Sequence, residues 1–335
     1  MTRTTRRLLG RGAWGLVCLL ALFAVVAAAG FGYQMIASAQ DELAYPPPGR
    51  LVDVGGHRLH LQCTGEGSPT VVAESGFGGT SLDWSLVQPA VAQTTHMCAY
   101  DRAGFGWSDP GAAPRTSKRI VEELHTLLGR AGVTGPYVLV GHSVGGLHAQ
   151  LFASMFPGEV DGLVLLDPTP AEYLTSLEPS ARRAAAPPME QLRAIQLMQN
   201  VGLTRVFGLT VPMPVWHLPP LVQRQMTAVG FKTMVGDALL EEGSANDVNL
   251  AQSIAAAHLR ADIPLTVIVR GLVIGPPDQD AAGKTADADL VRRSTRGQLI
   301  VAEGSGHYIQ LDRPDLVIDA ITDAVRSVRT EGIQP

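Results

Sequence analysis

Charged residues make up only 17% of this 335-residue chain and aromatic residues 5%, and the formal net charge is -5. Beyond the N-terminus there is no Lys/Arg-rich arm or basic stripe, which excludes nucleic acid as an expected partner. Scarce charge with 46% hydrophobic residues also excludes a disordered chain. No His/Cys/Asp cluster has metal-ligand spacing, so neither a metal nor another cofactor is expected. Cysteine is nearly absent, with three in all. Cys18 lies in an apolar N-terminal segment, while Cys63 and Cys98 each sit in or at the end of a short apolar run. In an exported domain the latter two can pair; otherwise they are small buried thiols.

Arg3, Arg6, Arg7 and Arg11 precede an uncharged run from Gly12 to Gln40. Its apolar part, Ala13 to Tyr33, is long enough to cross a bilayer and longer than the usual h-region of a signal peptide. Residues 1–40 therefore read as an uncleaved signal anchor, with the arginines inside and the remainder exported. The competing reading is cleavage after Ala39, at Ala37-Ser38-Ala39, which would yield a secreted protein. Expected localisation is single-pass at the cell membrane, with the folded part extracytoplasmic.

Tyr45-Pro46-Pro47-Pro48-Gly49 then forms a stiff spacer. Arg50 to Val54 and Arg58 to Cys63 predict a hairpin about Gly55-Gly56, and Thr70 to Glu74 and His96 to Tyr100 predict buried strands with a helix around Leu82 to Ala92 between them. Ile120, Val121, Leu124, Leu127 and Leu128 repeat at helical spacing within Ser117 to Ala131, which Gly132 closes. An apolar strand from Tyr137 running into Gly141, a helix from Val144 to Phe156 and a strand from Gly162 to Leu166 follow. Residues 168–262 lose this alternation and carry proline-punctuated helical pieces, which predict a helical lid. Strands at Leu265 to Val269 and Gln298 to Ala302, and a last helix from Pro314 to Val328 capped by Asp312, complete the pattern. Residues 41–167 and 263–330 thus form one α/β core with a mostly parallel sheet covered by helices, and the lid is inserted after the sixth strand.

The chemistry centres on Gly141-His142-Ser143-Val144-Gly145, placed where a strand turns into a helix. Such a turn holds the serine hydroxyl above the sheet edge in a strained conformation, and side chains at the two glycine positions would collide. Ser143 is the expected nucleophile. Of nine histidines only His307 stands in a Gly-rich turn directly after a late strand, at the same sheet edge, and it is the expected base. His142, His148 and His60 read as motif filler, helix surface and strand surface. Candidates for the orienting acid are Asp167, ending the strand after the nucleophile helix, then Asp278, and then Asp280. The loop Glu74-Ser75-Gly76-Phe77-Gly78-Gly79 could supply the Phe77 N–H, which with the Val144 N–H would make an oxyanion hole.

From about Gly49 to Val328 the chain resembles the α/β-hydrolase superfamily. Besides the serine turn, Asp101-Arg102-Ala103-Gly104-Phe105-Gly106-Trp107-Ser108 resembles the Asp-Arg-x-Gly-x-Gly-x-Ser signature of its lidded members, and Gly304-Ser305-Gly306-His307 resembles its histidine loop. The resemblance implies neighbouring strands for Cys63 and Cys98 and hence a disulfide between them. It also implies a serine hydrolase acting on a small carboxylic ester, and the apolar segments of the lid suggest an apolar acyl or alcohol group; epoxide and haloalkane hydrolysis in the superfamily use a carboxylate nucleophile instead. The chain departs from the family in having Ser75-Gly76 for the usual His-Gly and in lacking the usual acid after the strand ending at Val269. The latter favours Asp167, as in lipases that carry the acid one strand earlier. An aminopeptidase or amidase using the same triad, or a surface binding protein that has kept only the fold, are the alternatives.

Overall fold

The computed structural model describes residues 3–209, 215–255 and 259–331. Helix α1 (Arg3–Ala44) is unbroken, and its middle is apolar and exposed. Length and composition suit it to cross a membrane, as they would a signal sequence. Instead of running free into the proline spacer, α1 is held at its end: the Trp107 Nε1–H donates to the Tyr45 carbonyl at 2.9 Å.

Strands β1 (Arg50–Asp53), β2 (Arg58–Thr64), β3 (Thr70–Glu74), β4 (Met97–Tyr100), β5 (Tyr137–His142), β6 (Val160–Leu166), β7 (Leu265–Arg270) and β8 (Gly297–Ala302) form one eight-stranded sheet in the order β1-β2-β4-β3-β5-β6-β7-β8. Only β2 runs antiparallel to its neighbours, and all other pairings from β4 to β8 are parallel. Cys63 and Cys98 are register partners in β2 and β4 and are joined by a disulfide.

The alternation of side chains along each strand divides the core in two. Val72, Leu139, Leu163 and Leu165 face α3 (Ser117–Ala131) and α4 (Val144–Met155), where Leu124, Leu128 and Phe152 meet them. Val71, Val138, Val140 and Val164 face α14 (Pro314–Glu331), packing with Val317, Ile321 and Val325. Helices on both faces explain why β3 to β6 read as almost continuous apolar runs. Helix α3 begins as its sequence suggests, with the Thr116 hydroxyl accepting from the Arg119 N–H, and ends at Gly132 with φ 68°.

Several expectations need correction. The helix predicted over Leu82 to Ala92 is a 3-10 turn (Ser81–Trp84) followed by one turn of helix, α2 (Gln88–Val91). Between β7 and β8, where the sequence suggests no element, stands a full helix, α12 (Pro277–Val291). Its core-facing side offers only Asp280, Asp287 and Leu290, so it has no apolar period to read. Asp312 does not cap α14. It ends a short helix, α13 (Ile309–Asp312), and its carboxylate accepts from the Gly306 N–H at 2.8 Å, tying down the turn before His307.

Between β6 and β7 the described residues form seven helices: α5 (Ala171–Ser176), α6 (Pro179–Ala185), α7 (Met189–Asn200), α8 (Leu203–Val206), α9 (Pro220–Gly230), α10 (Thr233–Ser244) and α11 (Asn246–Ala255). Together they cover the C-terminal edge of the central strands.

Candidate active site

The sharp turn at Ser143 is imposed by sterics. Ser143 has φ 55° and ψ −123°, between the buried strand β5 and the start of α4. A Cβ at position 141 would stand 2.5 Å from the Gly145 carbonyl oxygen, and one at 145 would stand 2.5 Å from that of Glu74. Neither position admits a side chain. The turn is pinned by Ser143 N–H donating to the Leu166 carbonyl (3.0 Å), and by the Ser143 carbonyl accepting from Gly146 (2.9 Å) and Thr169 (3.1 Å). Ser143 is half-buried on the wall of a cavity of about 310 Å³, which Phe77, Val144 and Leu147 line from the core and Leu174 and Pro187 line from the lid.

Asp167 follows β6 and is, with Ser143, one of the two described non-glycine residues with positive φ. Its carboxylate is buried and accepts from His307 Nδ1 at 2.5 Å. Arg270, the last residue of β7, donates to both Asp167 oxygens from one nitrogen, at 2.8 and 2.7 Å. Burial acts to raise the Asp167 carboxyl pKa, but the hydrogen bond and charge of His307, with the charge of Arg270, outweigh it and hold it below the ordinary carboxylate range. An ionised carboxylate only accepts, so His307 Nδ1 carries the hydrogen of this bond; in the neutral tautomer with that hydrogen, Nε2 is the accepting nitrogen.

The other acid candidates lie elsewhere. Asp280 is occupied by Arg270 (2.6 Å) and Lys284 (3.0 Å), and Asp278 is exposed in the first turn of α12. Arg270 went unrecognised in the sequence, although a cation closing an otherwise apolar buried strand at the sheet edge was a readable signal. Nearby, burial and then the Asp167 charge push the Asp287 carboxyl up to about 7.

His307 and Ser143 share no direct hydrogen bond among the described residues. They are linked through His142, whose Nε2–H donates to the His307 carbonyl at 2.8 Å and whose ring centre lies 4.6 Å from that of His307. His142 is buried. Burial, and then the neighbouring His307 charge, depress its pKa to about 3, so it remains neutral. The surface readings of His148 and His60 are likewise overturned. His148 Nδ1 lies 3.2 Å from Glu74, and His60 Nδ1 lies 2.8 Å from Asp101, all four side chains being buried.

Behind the cavity, buried Arg102 gathers the loop that follows β3. It donates to Glu74 Oε1 (2.8 Å) and to the carbonyls of Ser75 (2.7 Å) and Gly76 (2.8 Å), and it pairs with Glu242 of the lid helix α10 (2.8 Å). In a trans peptide the C=O and the following N–H point in opposite directions. With the Gly76 carbonyl turned to Arg102, the Phe77 N–H is turned away from it. Neither Phe77 N–H nor Val144 N–H has an acceptor among the described residues. Gly76 is required as glycine, because a Cβ would lie 2.9 Å from His142 Nδ1 and 3.2 Å from Ser143 Cβ. Asp101, the first residue of the Asp-Arg signature, accepts from the backbone N–H groups of Ser81 (2.6 Å) and Trp107 (3.0 Å), so the signature ties the turn at Ser81 to the end of β4.

Residues 71–320 match the model of a family described as "Alpha/beta hydrolase family". Among curated proteins, the "Probable transporter efuK" of Hormonema carpetanum is 35% identical over 131 residues, covering 37% of this chain and 19% of that protein, so the chain spans about a fifth of that relative's length. Among solved structures, an esterase from Thermogutta terrifontis superposes with a TM-score of 0.57 at 21% identity, covering 83% of this chain and 98% of that one. The epoxide hydrolase CorEH superposes with a TM-score of 0.58 at 18% identity, with the same coverages. At these identities the two structures speak to the fold alone.

Proposed function

The chain belongs to the alpha/beta hydrolase family, and from that premise we propose that it is a serine hydrolase cleaving carboxylic esters of apolar small molecules through an acyl-enzyme. The observation that carries this reading is the pairing of His307 Nδ1 with the buried Asp167 carboxylate at the sheet edge where Ser143 is held in its strained turn. Ser143 Oγ attacks the ester carbonyl while His307 Nε2 takes its proton. Asp167 fixes the His307 tautomer and stabilises the imidazolium that forms. The Phe77 and Val144 N–H groups receive the charge that develops on the carbonyl oxygen. His307 then returns the proton to the leaving alcohol, and water releases the acid by the same route. The Ser143–His307 hydrogen bond tightens when substrate binds, since such bonds are often long or misaligned in free enzymes.

In this reading α1 anchors the enzyme in the cell membrane, with the catalytic core on the extracytoplasmic side, where a Cys63–Cys98 disulfide persists. A fluorophosphonate probe tests the chemistry. We expect covalent labelling of Ser143 and none of Ser143→Ala; a folded wild-type protein that remains unlabelled overturns the proposal. Turnover of matched ester and peptide-amide substrates separates an esterase from an aminopeptidase or amidase.

A further inference from the structure

The lid is fastened to α1 between Gly30 and Asp41. The backbone of Gly202, just before α8, lies against α1, so that a Cβ there would come 3.0 Å from the Gly30 carbonyl oxygen and 3.2 Å from Tyr33 Cδ1. Gln34 is buried, and its Nε2–H donates to the Phe231 carbonyl at 2.6 Å. Arg205 of α8 pairs with Asp41 at 2.5 Å, bonds Gln34 Oε1 at 3.2 Å and stacks over Phe231. These contacts involve polar groups of both partners and set the height of the lid along α1.

That height can be compared with a bilayer. From Gly12, the first residue after Arg11, to Gly30 is nineteen residues, about 28 Å at the rise of an α-helix. The hydrocarbon core is about 30 Å thick. If Arg11 marks one face, Gly30 to Gln34 marks the other, and α8 lies in the boundary layer. On α8 and just beyond it, Val206, Phe207 and Leu209 are 61%, 66% and 48% exposed. The charged member of this segment, Arg205, is turned to α1, and its other polar residue, Thr204, is buried. In water these three side chains would be an unexplained apolar patch; at this depth they are solvated by lipid.

We infer that the α8 segment of the lid, through Val206, Phe207 and Leu209, is embedded in the same bilayer surface that α1 crosses, so that the lid is a membrane-contacting element. The inference rests on the proposed anchoring by α1. It also bears on the substrate. Helix α7, twelve residues or about 18 Å long, runs from the α1 contact at Val201 to Pro188 on the wall of the Ser143 cavity. A substrate dissolved in the lipid is therefore delivered one short helix away from the nucleophile.

The test uses the full chain carrying Cys18→Ser, with the Cys63–Cys98 disulfide intact, reconstituted in phosphatidylcholine/phosphatidylglycerol vesicles containing spin-labelled lipid. A bimane fluorophore is placed singly through Phe207→Cys, Val206→Cys, Phe23→Cys within the span, or Glu66→Cys on an exposed loop of the core. Expected is quenching at Phe207→Cys or Val206→Cys at least about threefold that at Glu66→Cys, strongest with the spin label near the lipid carbonyls, while Phe23→Cys is quenched best by a label deep in the chains. Quenching of Phe23→Cys with neither lid position above Glu66→Cys overturns the inference and leaves the anchor standing. An unquenched Phe23→Cys overturns both, and neither result bears on the serine chemistry.

Discussion

The sheet edge and the lid confront one another across the same cavity but are built on different terms. In α4, directly behind Ser143, nine residues are buried, from Gly145 to Ala153; in α6, on the opposite wall, none is. At the sheet edge each backbone choice is forced by a neighbour: Gly141 by Gly145, Gly145 by Glu74, Gly76 by His142 and Ser143. The lid is instead joined to the rest by side chains, through buried apolar contacts such as Phe105 with Val235 and Leu239 or Leu147 with Leu250, and through the ion pairs of Arg102 with Glu242 and Arg205 with Asp41. On one side of the cavity the backbone itself is constrained; on the other, the wall is made of side chains.

Substitutions should expose this contrast. The largest effect is expected at the acid. Asp167→Asn should lower kcat for ester turnover by about 10⁴, because the wrong histidine tautomer is then held, whereas exposed Asp278→Asn should be indistinguishable from wild type; the reverse pattern in steady-state kinetics would show that the acid lies in α12. Next comes the buried cation joining the two regions. Arg102→Met strands Glu242 as an unpaired buried charge and leaves Glu74 with only Tyr100 and His148; it should cost roughly 3–5 kcal/mol in denaturant unfolding, and a loss under about 1 kcal/mol would mean that lid and loop are not coupled through it.

A smaller effect depends on pH. The Asp287 carboxyl is raised to about 7 in the fold, so the folded state holds a proton that the unfolded chain loses near pH 4. Stability from this group is full below about pH 4 and is lost as pH rises through about 7. Asp287→Asn should therefore stabilise by on the order of 1 kcal/mol at pH 8 and hardly at all at pH 4, which thermal melts at the two pH values would decide. Smallest of all, Arg182→Ala on α6 should leave stability unchanged within about 0.5 kcal/mol. Any change in activity should appear in KM, because the Arg182 side chain lines the cavity.

Much of the sheet could be read from sequence because its strands are short apolar runs bounded by Gly and Pro, and the Ser143 turn because its glycines recur at fixed spacing. Asp167 could be preferred but not separated cleanly from its rivals, since Asp278 and Asp280 follow the next strand and only the structure shows Arg270 taking Asp280. The histidines were misread for a related reason. Nothing local to His60 or His148 announces a carboxylate 41 or 74 residues away. Helix α12 escaped because its buried side is largely carboxylates, which carry no hydrophobic period.

The bond from Trp107 to the Tyr45 carbonyl has a kinetic meaning. With the bonds of Gln34 and Arg205 it ties the end of α1 to the core and lid, so an enzyme anchored by α1, as proposed, would be kept against the bilayer. Its encounters would then be two-dimensional. Rate would follow the mole fraction of substrate in the surface rather than its amount per volume, and diluting the vesicles with buffer would leave turnover unchanged while diluting the substrate with inert lipid would slow it.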